Sequence, residues 1–166
     1  MTAESVAPEM LHGWALYLQA SEEARRRGDR RAGTEQVLLA LLHVPSIETA
    51  LGVTLQQARR ILDSLDRDAL AALGMGPGVD APPLPTRPVP KKPRFRDIAK
   101  EDRLRMTPVA KKVLEDASRP NRRRIQVTAE QVLAQILTLS PPDPAAVLLR
   151  ALGVNPSDVR LRLDPA

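Results

Sequence analysis

The sequence contains no cysteine, which excludes a disulfide framework and any thiolate-ligated metal site. Aromatic residues are almost missing too: Trp14, Tyr17 and Phe95 are the whole set, 2% of the chain. β-Sheet domains lean on aromatic and β-branched side chains, so a sheet core is not expected. No apolar run approaches the roughly 20 residues that cross a bilayer. The stretch Met1 to Trp14 lacks a basic segment followed by an apolar one, so it does not read as a secretory leader. Together with the missing cysteine, this gives a cytoplasmic protein with no membrane role as the expectation.

Catalytic signatures are absent as well. There is no Gly-x-x-x-x-Gly-Lys-Ser/Thr loop to cradle a nucleotide phosphate, and no glycine is directly followed by lysine. The two histidines, His12 and His43, stand far apart without a partner motif. No nucleophile–base arrangement and no metal-ligand spacing is visible. The expectation is a non-enzymatic protein without cofactor or metal.

What is present is an aliphatic chain with a basic balance. The 166 residues are 43% hydrophobic, enough for a core, and carry a formal net charge of +5. Leu and Ala supply most of that apolar content, and both favour helices. A basic charge fits either nucleic acid, an acidic partner, or simply an arginine-rich solvated surface.

One stretch breaks the helical pattern. Gly74 to Pro93 holds three of the eight glycines and seven of the 16 prolines, and helix does not persist through such prolines. This stretch belongs to a basic linker over residues 74–103, between a first helical repeat at 1–73 and a second at 104–166.

Each half shows helical periodicity. In the first, Met10, Leu11, Trp14, Leu18 and Ser21 fall on one face, with Gly28 as a stop. A second helix from Thr34 to His43 carries Val37, Leu38, Leu41 and Leu42. Thr54 caps another, with Gln57 three residues on completing a capping box, and Asp68 to Leu73 reads as a further short turn. In the second half, Thr107 and Pro108 open a helix with Val109, Ala110, Val113, Leu114 and Ala117 inward. Thr128 with Gln131 caps the next; Asp143-Pro144 and Asn155-Pro156 open two more, with Val159 and Leu163 inward.

The halves also match each other. Glu35-Gln36-Val37-Leu38 recurs as Glu130-Gln131-Val132-Leu133, and Ala50-Leu51-Gly52-Val53 recurs as Ala151-Leu152-Gly153-Val154, in the same order. The expected fold is all-α: two pseudo-symmetric four-helix repeats, packed as one unit and joined by the Pro/Gly-rich linker. A competing feature is Gly52 to Arg60, which fits the turn and second helix of a helix-turn-helix. With Arg122-Arg123-Arg124 it supports an alternative as a nucleic-acid-binding protein, with weak binding to phosphates as the expectation.

Several strings resemble the N-terminal domain of ClpC-type unfoldases. Met106-Thr107-Pro108-Val109-Ala110-Lys111-Lys112-Val113-Leu114-Glu115 is similar to that family's Phe-Thr-Pro-Arg-Ala-Lys-Lys-Val-Leu-Glu. Gly33-Thr34-Glu35-Gln36-Val37 resembles its Gly-Thr-Glu-His-hydrophobic helix, and the segment Leu65 to Gly74 is similar to stand-alone actinobacterial members. Departures are plain: Gln36 and Gln131 stand where the family has histidine, Thr128-Ala129 replaces the second Gly-Thr, and Glu9 to Gly13 replaces the first Phe-Thr-x-x-Ala.

The resemblance implies a two-repeat domain that receives substrates or adaptors for a Clp unfoldase. Detached from a motor, it implies an adaptor, competitor or decoy in Clp-dependent proteolysis. Its implied partners are peptides or proteins, among them a Clp unfoldase or its substrates, and cyclic peptide antibiotics. Two sets of residues carry over. Thr34, Glu35 and Glu130 match positions that hold phosphoarginine in some members. Met106, Lys111 and Glu115 match a surface that takes cyclic peptides or adaptors. Each also has a plainer explanation: Glu35 and Glu130 suit the positive end of a helix, and Lys111 with Glu115 forms an i,i+4 surface pair.

Overall fold

The computed structural model describes residues 10–75, 104–118 and 126–163. Residues 76–103 of the linker and the Arg122–Arg124 cluster lie outside the described residues. Within them the chain is mostly helical, as expected, with eight helices: α1 (Gly13–Arg27), α2 (Thr34–Leu41), α3 (Pro45–Leu51), α4 (Leu55–Ala72), α5 (Pro108–Ser118), α6 (Ala129–Ile136), α7 (Pro144–Ala151) and α8 (Pro156–Leu163). Four very short strands accompany them: β1 (Met10–His12), β2 (Arg31–Ala32), β3 (Arg105–Met106) and β4 (Gln126–Thr128).

Local chemistry explains most helix starts. Thr54 and Thr128 each accept the backbone N–H of the glutamine three residues on, at 3.2 Å and 3.1 Å. Those glutamines reach back to the cap N–H at 2.9 Å and 3.0 Å. Each box thus satisfies two of the orphan donors at a helix start. Thr107 accepts from Ala110, Asp143 from Ala145 and Asn155 from Ser157. At the other end, α3 stops at Gly52, whose φ of 69° lies in the left-handed region that favours glycine.

The core forms around α2. Thr34 and every residue from Gln36 to Leu41 are buried, so this helix is covered on all sides, as an evenly apolar helix must be. It packs on α1, α4, α5, α6 and α7. Leu16, Ala20 and Ala24 of α1, Val132, Leu133 and Ile136 of α6, and Leu148 of α7 complete an aliphatic core, with no buried aromatic ring among the described residues.

Both strand pairs join the first half of the chain to the second. β1 runs antiparallel to β4, with Leu11 opposite Val127, and β2 runs parallel to β3, with Ala32 opposite Met106. The strand that leads into α1 therefore pairs with the one that leads into α6. Likewise the strand that leads into α5 pairs with the one that leads into α2. The two pairs differ in direction.

Three local expectations change and one helix is new. Met10 and Leu11 belong to β1, and α1 begins only at Gly13. Pro45 to Leu51 is a helix in its own right. Asp68 to Ala72 is no separate turn but the last part of α4, with Leu73 as its C-cap, and α4 runs 18 residues because no breaker interrupts it. Val109 is 44% exposed rather than inward. The inward face of α5 is set by Ala110, Val113 and Ala117 instead.

Candidate functional site

Glu35 is the second residue of α2, and Glu130 is the second residue of α6. Both follow a cap residue, and both precede a glutamine whose side chain returns to the cap N–H. The caps differ. In α6 the hydroxyl of Thr128 covers the helix start. In α2 the cap is Gly33, which has no side chain to offer.

The Glu35 carboxylate fills that place. It turns back over Gly33 so closely that a Cβ there would lie 2.8 Å from Glu35 Cδ. Gly33 has φ −95° and ψ −172°, open to any residue, so the one demand on this position is the space that the flexible end of Glu35 occupies. Burial pushes the Glu35 carboxyl above its usual value; a hydrogen bond from its own backbone N–H and the charge of Arg27 work against that rise, while Asp29 adds to it.

Each of these carboxylates keeps one oxygen buried and, among the described residues, without a hydrogen-bond partner: Oε2 of Glu35 and Oε2 of Glu130. The other oxygen of Glu130 accepts a long hydrogen bond of 3.5 Å from Ser46 Oγ at the start of α3. Buried acceptors are nearly always paired in native structures. An orphaned carboxylate oxygen favours a donor, and a cationic donor most.

Thr34 is only 2% exposed, and its hydroxyl donates to Asp143 Oδ1 at 2.8 Å. This bond joins the start of α2 to the start of α7. The Ser46–Glu130 bond joins the start of α3 to the start of α6. In both cases the first turn of a half's second helix is tied to that of the other half's third.

The second set lies elsewhere. Met106 sits in β3, half-buried against the core. Lys111 and Glu115 are one turn apart on α5, with Lys111 Nζ 3.5 Å from Glu115 Oε1 and side-chain exposures of 71% and 63%. A parallel pair, Lys112 Nζ to Asp116 Oδ2 at 2.7 Å, stands beside them. The exposed face of α5 is thus an array of alternating charge.

An ion cluster that the sequence did not announce lies between α1 and α4. Glu23, 2% exposed, accepts from Arg59 Nε at 3.1 Å and from Arg59 Nη2 at 2.5 Å. His43 Nε2 lies 2.8 Å from Glu23 Oε1. The signal was in the spacing: Glu23 follows Leu16 by two turns and Ala20 by one, so it shares their buried face. The cluster also ties down Arg59, one of the arginines of the helix-turn-helix-like string, in a half-buried position. Around Arg27, further carboxylates gather: Asp29 at 3.8 Å, Asp63 at 3.7 Å, and Asp66.

Among the described residues no group of three or more His, Cys, Asp or Glu side chains is placed to hold a metal ion, and no helix is long and apolar enough to cross a membrane. No protein-family model matches this chain. No curated protein sequence matches it either.

Proposed function

We propose that this protein is a non-catalytic peptide- or protein-binding module, built as two related helical repeats and similar to the N domain that receives substrates and adaptors for Clp unfoldases. It acts as an adaptor, competitor or decoy in Clp-dependent proteolysis. The observation that carries this reading is the pair Glu35 and Glu130. They occupy the same position in two helices of the same length, each preceded by a cap and followed by a returning glutamine, and each leaves one buried carboxylate oxygen unpartnered. Such oxygens suit a guanidinium or other cationic group of a bound peptide. The exchanged pairing of strands between the halves also supports two related units.

The test is a calorimetric titration with three ligands: a phosphoarginine peptide, a cyclic peptide antibiotic and a purified ClpC-type unfoldase. Wild type binds at least one of them. Losing a charged hydrogen bond typically costs about 1.5–3 kcal/mol, so Glu35→Ala with Glu130→Ala weakens the phosphoarginine peptide by about tenfold or more. If none of the three binds, the Clp-type role fails. If the double variant binds as wild type does, the site moves to Met106, Lys111 and Glu115.

A further inference from the structure

β2 and β3 set two arginines side by side. Arg31 and Arg105 are register partners in the parallel pair, and both are exposed. The next residues along, Ala32 and Met106, turn the other way: Ala32 is fully buried and Met106 packs on the core. Successive side chains in a strand alternate between faces, so Arg31 and Arg105 share the outer face of strands about 4.8 Å apart. Arg30, exposed as well, precedes Arg31.

Like charges directly opposite each other weaken a strand pair. Here the chain is not free to slip out of register. Thr107 N–H donates to Ala32 O at 2.9 Å, and the Tyr17 hydroxyl donates to Leu104 O at 2.7 Å. Both bonds hold β3 against the first half. Among the described residues no carboxylate pairs with Arg30, Arg31 or Arg105, whereas Arg25, Arg26, Arg27 and Arg59 all have acidic partners. The backbone thus holds two exposed arginines at one register position, with no carboxylate partner among the described residues.

We propose that Arg31 and Arg105, with Arg30 beside them, receive a short acidic segment of a partner protein, whose Asp or Glu carboxylates lie between the paired guanidinium groups. Carboxylates match the planar fork of arginine in a bidentate way. The neighbourhood favours a narrow occupant. Asp29 adjoins Arg30 in the chain and belongs to the acidic group around Arg27, with Asp63 and Asp66. A nucleic-acid backbone makes many phosphate contacts along a broad footprint, and it would bring those phosphates against these carboxylates. A single extended acidic strand can follow the arginines alone. This surface uses none of Glu35, Glu130, Lys111 or Glu115, so it stands or falls apart from the role proposed above.

The experiment is fluorescence anisotropy of the full chain with a labelled Glu-Ser repeat peptide and its Gln-Ser counterpart. The Glu-Ser peptide binds, more weakly as salt rises, and the Gln-Ser peptide does not. Arg31→Ser with Arg105→Ser lowers affinity by about tenfold or more. Lys112→Ser with Arg150→Ser removes the same charge from α5 and α7 and changes affinity less than about twofold. The Arg31→Ser, Arg105→Ser variant melts no earlier than wild type, because it relieves like-charge repulsion. Glu35→Ala with Glu130→Ala leaves the peptide affinity unchanged, which separates this surface from the paired carboxylates. Equal loss in the two serine variants, equal binding of both peptides, an earlier melt of the Arg31→Ser, Arg105→Ser variant, or tighter binding of duplex DNA through the same arginines overturns the proposal.

Discussion

Arg59 reaches Glu23 with two nitrogens, Nε on one carboxylate oxygen at 3.1 Å and Nη2 on the other at 2.5 Å. This fork ties α4 to α1 across 36 residues of sequence. Both side chains of this ion pair are largely out of water, 2% and 16% exposed. Surface pairs contribute little; removing one partner of a buried pair strands the other charge.

Glu23→Gln keeps the shape and removes the charge. It is expected to destabilise the fold by about 3 kcal/mol at neutral pH, read from urea unfolding. Acid should erase the difference. Burial alone raises the Glu23 carboxyl, but hydrogen bonds to His43 and Arg59 and the Arg59 charge outweigh it and hold it at about 2 against 4.5. A depressed folded value stabilises above the unfolded one and ceases to do so as pH falls through the folded one. Wild type therefore loses stability relative to Glu23→Gln as pH falls from 4.5 toward 2.

Gly33→Ala places a methyl group where the Glu35 carboxylate now sits. The side chain is flexible at that end, so the carboxylate moves outward into water. Its titration, followed by carboxyl carbon NMR, should fall back from its raised position toward the ordinary glutamate range. An unchanged titration would show that the carboxylate does not lie over Gly33.

Asp143→Ala removes the cap of α7 and leaves the buried Thr34 hydroxyl without its acceptor. Cap loss costs about 1 kcal/mol, and an unsatisfied buried donor about 1–3 kcal/mol. Thr34→Val should be milder, since it removes the stranded donor and leaves Asp143 on Ala145. Equal losses by the two variants in urea unfolding would place the effect in the Thr34–Asp143 bond and leave none for the cap.

Lys111→Ala with Glu115→Ala should leave stability almost unchanged, within about 0.5 kcal/mol, because both side chains stand mostly in water. A loss of binding to any ligand of wild type would then be a direct effect of that surface. A larger fall in thermal midpoint would instead make the pair structural.

The helix starts were legible because their chemistry is local. Thr54 with Gln57, Thr107 with Pro108, Thr128 with Gln131, and Asp143 with Pro144 each satisfy donors within a few residues. The strands were not, because their partners lie elsewhere in the chain. Met10 and Leu11 fit a helical face as well as a strand, and only the pairing with Thr128 and Val127 decides. Glu35 and Glu130 were visible as a repeated motif. Neither the fold of the Glu35 carboxylate over Gly33 nor its orphaned oxygen could be read from composition. Those depend on how far each helix start is buried by its neighbours.

The crossed strand pairing also has a consequence in time. During synthesis β1 is among the first described segments to leave the ribosome, yet its partner, Gln126 to Thr128, follows only after the first half, the linker and α5. Until then β1 presents bare N–H and C=O groups, the kind of edge that recruits other strands. β2 waits in the same way for β3. The first half therefore completes its two strand pairs only after β3 and β4 of the second half have been made, and closing contacts so distant in sequence is intrinsically slow.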